Sequence, residues 1–402
     1  MNTKTILTGA IVIVVLGGIA WFLFFSPGSS PQTTGNGGGL PSAEVNTTYS
    51  AGSNQAQGGT NGSAAASQQK IFKISDGPVV GATFIQTLRP TTTLARFVMA
   101  NDGHAYELPL DIPGAVPRAI SNTTIPGALF ALWVEGGNGA ILQYLDGLTV
   151  KTVYLGFFAA SSSAPVRLQF YPDGVFSLAA APDGGSVAYL SHTASGVDGF
   201  VSKPDGTGGK KLFSLPLSQM TLVWPAQGTL IAYSNPAFGV PGISFTVDAK
   251  SGVVTPLLSA LGLSATADSA FAHVVYQTLD NSTPTTYSRD VKAGSALVLP
   301  FNPAPEQCVR SPLEAYVLFC AAPSSPVVAS YLDRWHQGTA SAPETLFVFN
   351  LAAGTALAVA NPGSGDGGVP TDMASIAVSP DLHYALFISK TDRSLWGVRL
   401  TQ

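Results

Sequence analysis

Ala-Pro-Asp-Gly-Gly-Ser-Val-Ala-Tyr-Leu, at residues 181–190, is the stretch that decides the fold. A turn of proline, aspartate and glycine precedes an apolar run rich in β-branched and aromatic residues, a pattern typical of a β-hairpin. The turn position recurs at intervals of 43, 43 and 44 residues, at Pro182, Pro225, Asp268 and Pro312. An apolar strand follows each of them. A repeat of this length with several strands per unit predicts the blades of a β-propeller.

The repeat extends toward both ends of the chain. Three further apolar strands follow prolines in the same register, at Leu94–Met99, Leu129–Val134 and Tyr384–Ile388. This gives seven units, each with a third and often a fourth strand. The sequence therefore predicts an all-β fold, a single seven-bladed β-propeller over residues 70–402. A count of six or eight blades is the alternative, because the interval from residue 126 to residue 182 is longer than the repeat length.

The last unit is one strand short. Its final apolar stretch covers residues 394–400, while an unassigned strand-like stretch, Lys-Ile-Phe-Lys-Ile-Ser, lies at residues 70–75. We expect this N-terminal strand to complete the last blade. Closing the ring in this way removes the open sheet edges that promote aggregation.

An apolar segment precedes the repeats. Residues 6–25 carry no charged side chain, and as a helix they span about 30 Å, the thickness of a bilayer core. Lys4 lies before this segment, and the next charged residue is Glu44. These features predict a transmembrane signal-anchor helix. The positive-inside rule places residues 1–5 in the cytoplasm and the rest of the chain outside. A cleaved signal peptide is the alternative.

Residues 26–69 form a candidate linker. They are mostly Gly, Ser, Thr, Asn, Gln, Pro and Ala, a composition that cannot bury a core and is typical of flexible linkers. The sequence thus predicts a single-pass membrane protein whose propeller is extracytoplasmic, in the periplasm or at the cell surface.

The overall charge limits the class of partner. Charged residues make up 10% of the chain, against about 25% in a typical soluble protein. The net charge is −4, and no Lys/Arg cluster occurs beyond Lys210 and Lys211. Nucleic acid is therefore not expected as a partner.

Several stretches carry a family resemblance. Ala-Pro-Asp-Gly-Gly-Ser at residues 181–186 and Lys-Pro-Asp-Gly-Thr-Gly at residues 203–208 resemble the repeat of TolB-type, WD-repeat-like β-propellers. Cys-Val-Arg-Ser at residues 308–311, Cys320 and Trp-His-Gln-Gly at residues 335–338 are similar to segments of membrane-anchored, uncharacterised envelope propellers of bacteria. The resemblance implies a scaffold in an extracytoplasmic location and implies no chemistry.

Cys308 and Cys320 are the only cysteines of the chain. A hairpin centred on Glu314 pairs residue 308 with 320, 309 with 319 and 310 with 318, and directly opposed strand positions suit a disulfide. In an oxidising compartment we expect a Cys308–Cys320 disulfide, with two independent buried thiols as the alternative. A metal site is disfavoured, because two cysteines without nearby histidine supply too few ligands.

An insertion separates the second and third strands of the sixth unit. It covers residues 326–342, in a connection much longer than those of the other units. In propellers these connections share a face with the connections between blades, and that face commonly binds. Arginine and tryptophan are typical of binding hot spots, which makes the polar and aromatic residues here the candidate binding site. They are Tyr331, Asp333, Arg334, Trp335 and His336. The alternative is a strap folded over a blade, with Trp335 packed and Asp333 paired with Arg334.

Catalytic motifs are not evident. The five histidines are scattered, and neither Gly-x-Ser-x-Gly nor His-Glu-x-x-His occurs. We expect no cofactor and no metal, and interpret the chain as a protein-binding or assembly scaffold for another envelope protein. A glycan- or small-molecule-acting enzyme with a site at the central channel stays open as one alternative, and a structural spacer of a surface layer as another.

Overall fold

The structure, a computed structural model, describes residues 69–88, 91–157, 166–364 and 372–400. Within these ranges the chain is all-β and forms seven four-stranded antiparallel sheets. The first strands of neighbouring sheets contact one another around a closed ring. Each sheet is therefore one blade of a β-propeller, and the predicted fold class and blade number are confirmed.

The strands of each blade follow one another in chain order from the central channel outward. Blade 1 contains β2 (Val79–Leu88), β3 (Thr91–Met99), β4 (Ala105–Pro109) and β5 (Arg118–Ala119). Blade 2 contains β6 (Ala128–Val134), β7 (Gly139–Asp146), β8 (Thr149–Gly156) and β9 (Arg167–Phe170). Blade 3 contains β10 (Val175–Ala180), β11 (Val187–Thr193), β12 (Gly196–Ser202) and β13 (Lys210–Leu215). Blade 4 contains β14 (Met220–Ala226), β15 (Thr229–Ser234), β16 (Pro241–Asp248) and β17 (Val254–Leu261).

The remaining blades follow the same order, except at the closure of the ring. Blade 5 contains β18 (Ser264–Ala267), β19 (His273–Asp280), β20 (Thr283–Asp290) and β21 (Ala296–Val298). Blade 6 contains β22 (Cys308–Arg310), β23 (Val317–Pro323), β24 (Glu344–Asn350) and β25 (Thr355–Ala360). Blade 7 contains β26 (Met373–Val378), β27 (Tyr384–Ser389), β28 (Leu395–Arg399) and, as its outermost strand, β1 (Ile71–Lys73).

The N-terminal strand closes the ring. β1 pairs antiparallel with β28, so that Ile71 lies opposite Val398 and Lys73 lies opposite Trp396. The prediction that the stretch at residues 70–75 completes the last blade is thus confirmed.

The second strand of each blade lies in the core. Every residue of β27 is buried, whereas every residue of the outermost strands β9 and β21 is exposed. The reason is geometric, since the inner strands pack on both faces against neighbouring blades. Full burial of one leucine in such a strand, such as Leu190 or Leu230, contributes about 2 kcal/mol.

The aspartate of the repeated turn links neighbouring blades. In blade 7, one carboxylate oxygen of Asp381 accepts two hydrogen bonds within its own turn. The other accepts from Gln86 Nε2 at 3.0 Å and from Thr93 Oγ1 at 3.1 Å, both in blade 1. Asp183 of blade 3 accepts from Gln227 Nε2 of blade 4 at 3.0 Å. In blades 3 and 7 the residue that shapes the turn therefore also links its blade to the next one.

Blade 2 departs from the repeat. The repeat aligns residues 129–134 with the second strands of the other blades, but the structure places them in the first strand, β6. The turn that follows is Glu135–Gly137. Gly136 (φ 61°) and Gly137 (φ 86°) adopt the left-handed conformation there, without a proline. This turn, unlike Pro-Asp-Gly, was not recognisable in the sequence, which explains the long interval after residue 126.

Three predicted features lie outside the described residues. They are the cytoplasmic N-terminus at residues 1–5, the transmembrane helix at residues 6–25 and the linker at residues 26–69, except for its last residue. In the part of the chain that the structure describes, no helix combines the length and hydropathy that a membrane crossing requires. The membrane segment stays a prediction from the sequence.

Candidate functional site

The insertion in blade 6 carries the predicted binding residues. Residues 324–343 connect β23 to β24, and a short helix, α1 (Tyr331–His336), lies within them. The insertion predicted at residues 326–342 therefore does separate the second and third strands of its blade. All five candidate residues belong to α1.

Contacts from two distant blades place α1 over the mouth of the central channel. The backbone N–H of Phe238, in the β15–β16 loop of blade 4, donates to Asp333 Oδ1 at 2.9 Å. Lys390, which follows β27 in blade 7, donates from Nζ to the carbonyl of Trp335. Blades 4 and 7 lie nearly opposite each other in the ring of seven. A helix of six residues that contacts both must lie between them, across the channel.

Trp335 anchors α1 to blade 7. Its indole Nε1 donates to both carboxylate oxygens of Asp372, at 2.8 and 3.1 Å. Lys390 Nζ lies 3.2 Å from the centroid of the same ring system, within cation–π distance. Asp372 immediately precedes β26 and is only 2% exposed. Because this carboxylate is shielded from water, losing the indole donor costs about 2 kcal/mol.

Glu344, the first residue of β24, lies close to this anchor and is only 1% exposed. Its Oε1 accepts from Gln307 Nε2 at 2.8 Å, and its Oε2 accepts from the backbone N–H of Met373 at 2.6 Å. Burial, together with the negative charge of Asp372, raises the pKa of Glu344 to about 8. Burial also raises the pKa of Asp372 and lowers the pKa of Lys390 to about 8. The protonated form of Glu344 is therefore favoured at neutral pH.

The other candidate residues of α1 have different surroundings. The hydroxyl of Tyr331 is buried and has no hydrogen-bond partner among the described residues. His336 Nε2 lies 3.0 Å from Glu306 Oε1. The Arg334 side chain is exposed and forms neither a hydrogen bond nor an ion pair within the described ranges. Trp335 is thus packed as in a strap, but Arg334 is not paired with Asp333.

Exposed apolar side chains occur in the segments that are hydrogen-bonded to α1. Phe238 is 44% exposed, Val240 is 63% exposed and Val328 is 65% exposed. The backbone of Phe238 bonds to Asp333, and the carbonyl of Val328 accepts a hydrogen bond from the first residue of α1. Phe238 and Val328 are thus bonded to α1 through their backbones, and Val240 follows Phe238 by two residues in the same loop. We call Phe238, Val240, Val328 and Arg334 the rim patch.

The buried carboxylates of the site accept hydrogen bonds from other groups of the protein. Besides the bonds from Trp335, Asp372 Oδ2 accepts from the backbone N–H of Ala342 at 3.3 Å, while both oxygens of Glu344 are engaged. Among the described residues no group of His, Cys, Asp and Glu side chains could hold a metal ion. The buried network therefore holds α1 in place, and the rim patch is the exposed part of the site.

The predicted disulfide between Cys308 and Cys320 is present. It joins β22 to β23, and the two Cα atoms lie 4.1 Å apart. The predicted register is also confirmed, with residue 308 opposite 320, 309 opposite 319 and 310 opposite 318. The disulfide lies near the end of β23, just before the insertion begins.

Comparison with known proteins identifies the fold but no family. No protein-family model and no curated protein matches the sequence. Oligogalacturonate lyase in complex with manganese matches with a TM-score of 0.50 and 12% identity, over 82% of this chain and 99% of that chain. A chain of the mitotic checkpoint complex matches with a TM-score of 0.52 and 10% identity, over 89% and 99%. The Cps50 (Swd1) β-propeller domain of Myceliophteria thermophila matches with a TM-score of 0.51 and 10% identity, over 82% and 98%. The likeness is one of fold alone.

Four important residues of the site were not identified from the sequence, namely Phe238, Glu344, Asp372 and Lys390. Glu344 and Asp372 do leave a local signal, because each is a carboxylate at the start of an apolar strand in a chain poor in charge. Lys390 and Phe238 leave none. They contact α1 through the packing of different blades, and no local pattern encodes that contact.

Proposed function

We propose that this chain is a protein-binding scaffold whose partner docks on the rim patch. The observation that carries the proposal is the anchoring of Trp335 by Asp372 and Lys390, which fixes α1 beside exposed apolar side chains. A fixed surface loses little conformational entropy when a partner binds. Apolar side chains around an arginine are typical of the centre of a protein interface. The β-propeller fold is compatible with this role.

We further propose that the scaffold is a TolB-type propeller anchored in a membrane, and that its partner is another envelope protein. The uncharged segment at residues 6–25, with Lys4 before it, supports an anchor whose N-terminus is cytoplasmic. The Cys308–Cys320 disulfide supports an oxidising, extracytoplasmic compartment.

Affinity capture tests the docking surface. The full-length chain, purified in detergent, is incubated with envelope extract beside Phe238→Ser and Arg334→Ala variants. Leu357→Ser is the matched control, because Leu357 is 68% exposed on the outermost strand of blade 6, away from α1. We expect one protein to be retained by the wild type and the control and lost by both rim variants. The purified partner should then bind the rim variants at least tenfold more weakly. Equal retention by all four forms contradicts the proposal.

Protease treatment of intact cells tests the location. With an epitope tag at each end of the chain, we expect external protease, after permeabilisation of any outer membrane, to remove the C-terminal tag and spare the N-terminal tag. Protection of both tags until the inner membrane is broken would show that the propeller is cytoplasmic and that the anchor proposal is wrong.

A further inference from the structure

A cavity lies at the seam where blade 7 meets blade 1, on the side of the propeller opposite to α1. Its volume is about 410 Å³, within the range of about 300–1,000 Å³ that is typical of small-molecule sites. Its walls come from β1, β28, the start of β27 and the loop after β4. We call this cavity the seam pocket; its lining includes Phe72, Lys73, Leu110, Ile112, Tyr384 and Arg399.

Arg399 is fixed in the seam pocket without a counter-ion. Its Nε donates to the carbonyl of Gln69 and its Nη1 donates to the hydroxyl of Tyr384, both at 3.2 Å. The guanidinium carbon lies 4.9 Å from the ring centroid of Phe72 and 5.6 Å from that of Tyr384. Among the described residues no carboxylate forms an ion pair with it. A half-buried guanidinium held in one orientation is ready to receive an anion.

Asp111 is the carboxylate in the lining of the seam pocket. It is already engaged, because its Oδ2 accepts from the backbone N–H of Thr93 at 2.7 Å and its Oδ1 accepts from Tyr384 Oη at 3.0 Å. Lys73 is paired with Asp76 at 3.5 Å, and it lies on the face of β1 opposite to Phe72, so we assign it no role in the pocket. Arg399 is therefore the cation of the seam pocket that has no ion-pair partner among the described residues.

We propose that the seam pocket binds a small organic carboxylate. The carboxylate group pairs with the guanidinium of Arg399, whose fork geometry suits two parallel hydrogen bonds. The body of the ligand packs against the apolar part of the lining, which includes Leu108, Leu110 and Ile112. Such a ligand would bridge the strand that closes the ring and the first blade.

Calorimetric titration of the full-length chain in detergent micelles tests this site. The probes are phenylacetate and glucuronate, with phenylacetamide and glucose as their neutral counterparts. We expect at least one carboxylate to bind at least tenfold more tightly than its neutral counterpart. Binding of phenylacetate would indicate that the body of the ligand is an apolar ring, and binding of glucuronate would indicate a sugar. Binding of neither carboxylate, or equal binding of acid and neutral probe, overturns the proposal.

Three variants locate the binding. Arg399→Gln should weaken the binding of the carboxylate probe at least tenfold. Arg393→Gln, in the same blade but on the α1 side, should leave the affinity for that probe unchanged. Arg399 also supports Tyr384, so Ile112→Asp provides a second test that removes no buried contact. Ile112 is 53% exposed, and an aspartate there adds a repelling charge. Unchanged affinity in Ile112→Asp, or in a folded Arg399→Gln, places the binding elsewhere and overturns the proposal.

Discussion

Blade 3 and blade 6 have the same strand order but differ in what joins their strands. In blade 3 a tight turn connects β11 to β12, with Thr193 directly opposite Gly196. In blade 6 residues 324–343 replace that turn and carry α1 across the channel mouth, and a disulfide joins β22 to β23. The repeated part of the sequence therefore forms the ring. The departures from the repeat build the surface that we assign to binding.

The largest expected effect comes from the core that both blades share. Leu190 in blade 3 and Leu318 in blade 6 occupy second strands and are completely or almost completely buried. Leu190→Ala and Leu318→Ala should each lower the free energy of unfolding by about 2–5 kcal/mol, because each leaves a cavity between blades. Chemical denaturation of the two variants measures this. A loss below about 1 kcal/mol in only one blade would show that the blades do not share one cooperative core.

The disulfide gives the next largest effect and has no counterpart in blade 3. Replacing both Cys308 and Cys320 with alanine removes a cross-link between residues 12 apart. The free energy of unfolding should fall by about 2–3 kcal/mol, the cost of closing a short loop in the unfolded chain. A reductant should lower the stability of the wild type to a similar extent and leave the double variant unchanged. Sensitivity of the double variant to the reductant would contradict this account.

Trp335→Ala should release the insertion and leave blade 3 untouched. The change removes the indole donor of Asp372 and the ring beneath Lys390, which costs about 2 kcal/mol. Hydrogen exchange should accelerate across residues 324–343 and stay constant in β11 and β12. Trp335→Phe, which keeps a ring but lacks the N–H group, should lie between the wild type and the alanine variant. Equal acceleration in both blades would mean that the insertion is part of the ring.

The pH dependence of stability should also distinguish the two blades. The pKa of Glu344 is about 8 in the folded chain, against about 4.3 in an unfolded chain. Between these values the folded state retains a proton that the unfolded state has lost. The stabilising contribution of protonated Glu344 is therefore complete below about pH 4 and is lost as the pH rises through about 8, by at most about 1.4 kcal/mol per pH unit. Glu344→Gln should flatten this decline.

Asp198 of blade 3 is the control for the pH experiment. Hydrogen bonds from Lys211 and Ser214 lower the pKa of its carboxylate. Its stabilising contribution is therefore present above the pKa of an unfolded aspartate and is lost only as the pH falls below it. Asp198→Asn should leave the decline between about pH 5 and 8 unchanged. The account of Glu344 fails if both variants, or neither, alter the slope over that range.

Arg334→Ala should have the smallest effect on stability. Its side chain is exposed and has no partner within the described ranges. Such a change shifts the free energy of unfolding by less than about 0.5 kcal/mol. Denaturation of this variant separates binding from folding, because it should lose its partner while its unfolding midpoint stays at the wild-type value. A large loss of stability would show that Arg334 belongs to the buried network instead.

Blades 3 and 6 also differ in how much of their structure the sequence predicts. Blade 3 is readable because Pro-Asp-Gly turns mark its hairpins, and the disulfide of blade 6 follows from the register of one hairpin. The first turn of blade 2 was not recognised, since two glycines with positive φ replace the proline. The concentration of arginine and tryptophan in α1 was visible, but its anchors were not. Asp372 and Lys390 belong to the next blade and reach Trp335 only through tertiary packing.

The pairing of β1 with β28 has a consequence for the order of folding. β1 is the first strand of the propeller to be synthesised, yet its partner is the last, so it waits unpaired until the whole ring has been made. Contacts between residues so distant in the chain make folding slow. Until then β28 presents an open edge to other chains. A nascent propeller of this kind therefore depends on speed of completion or on a chaperone, and the step that ends its exposure is the capture of three residues, Ile71–Lys73.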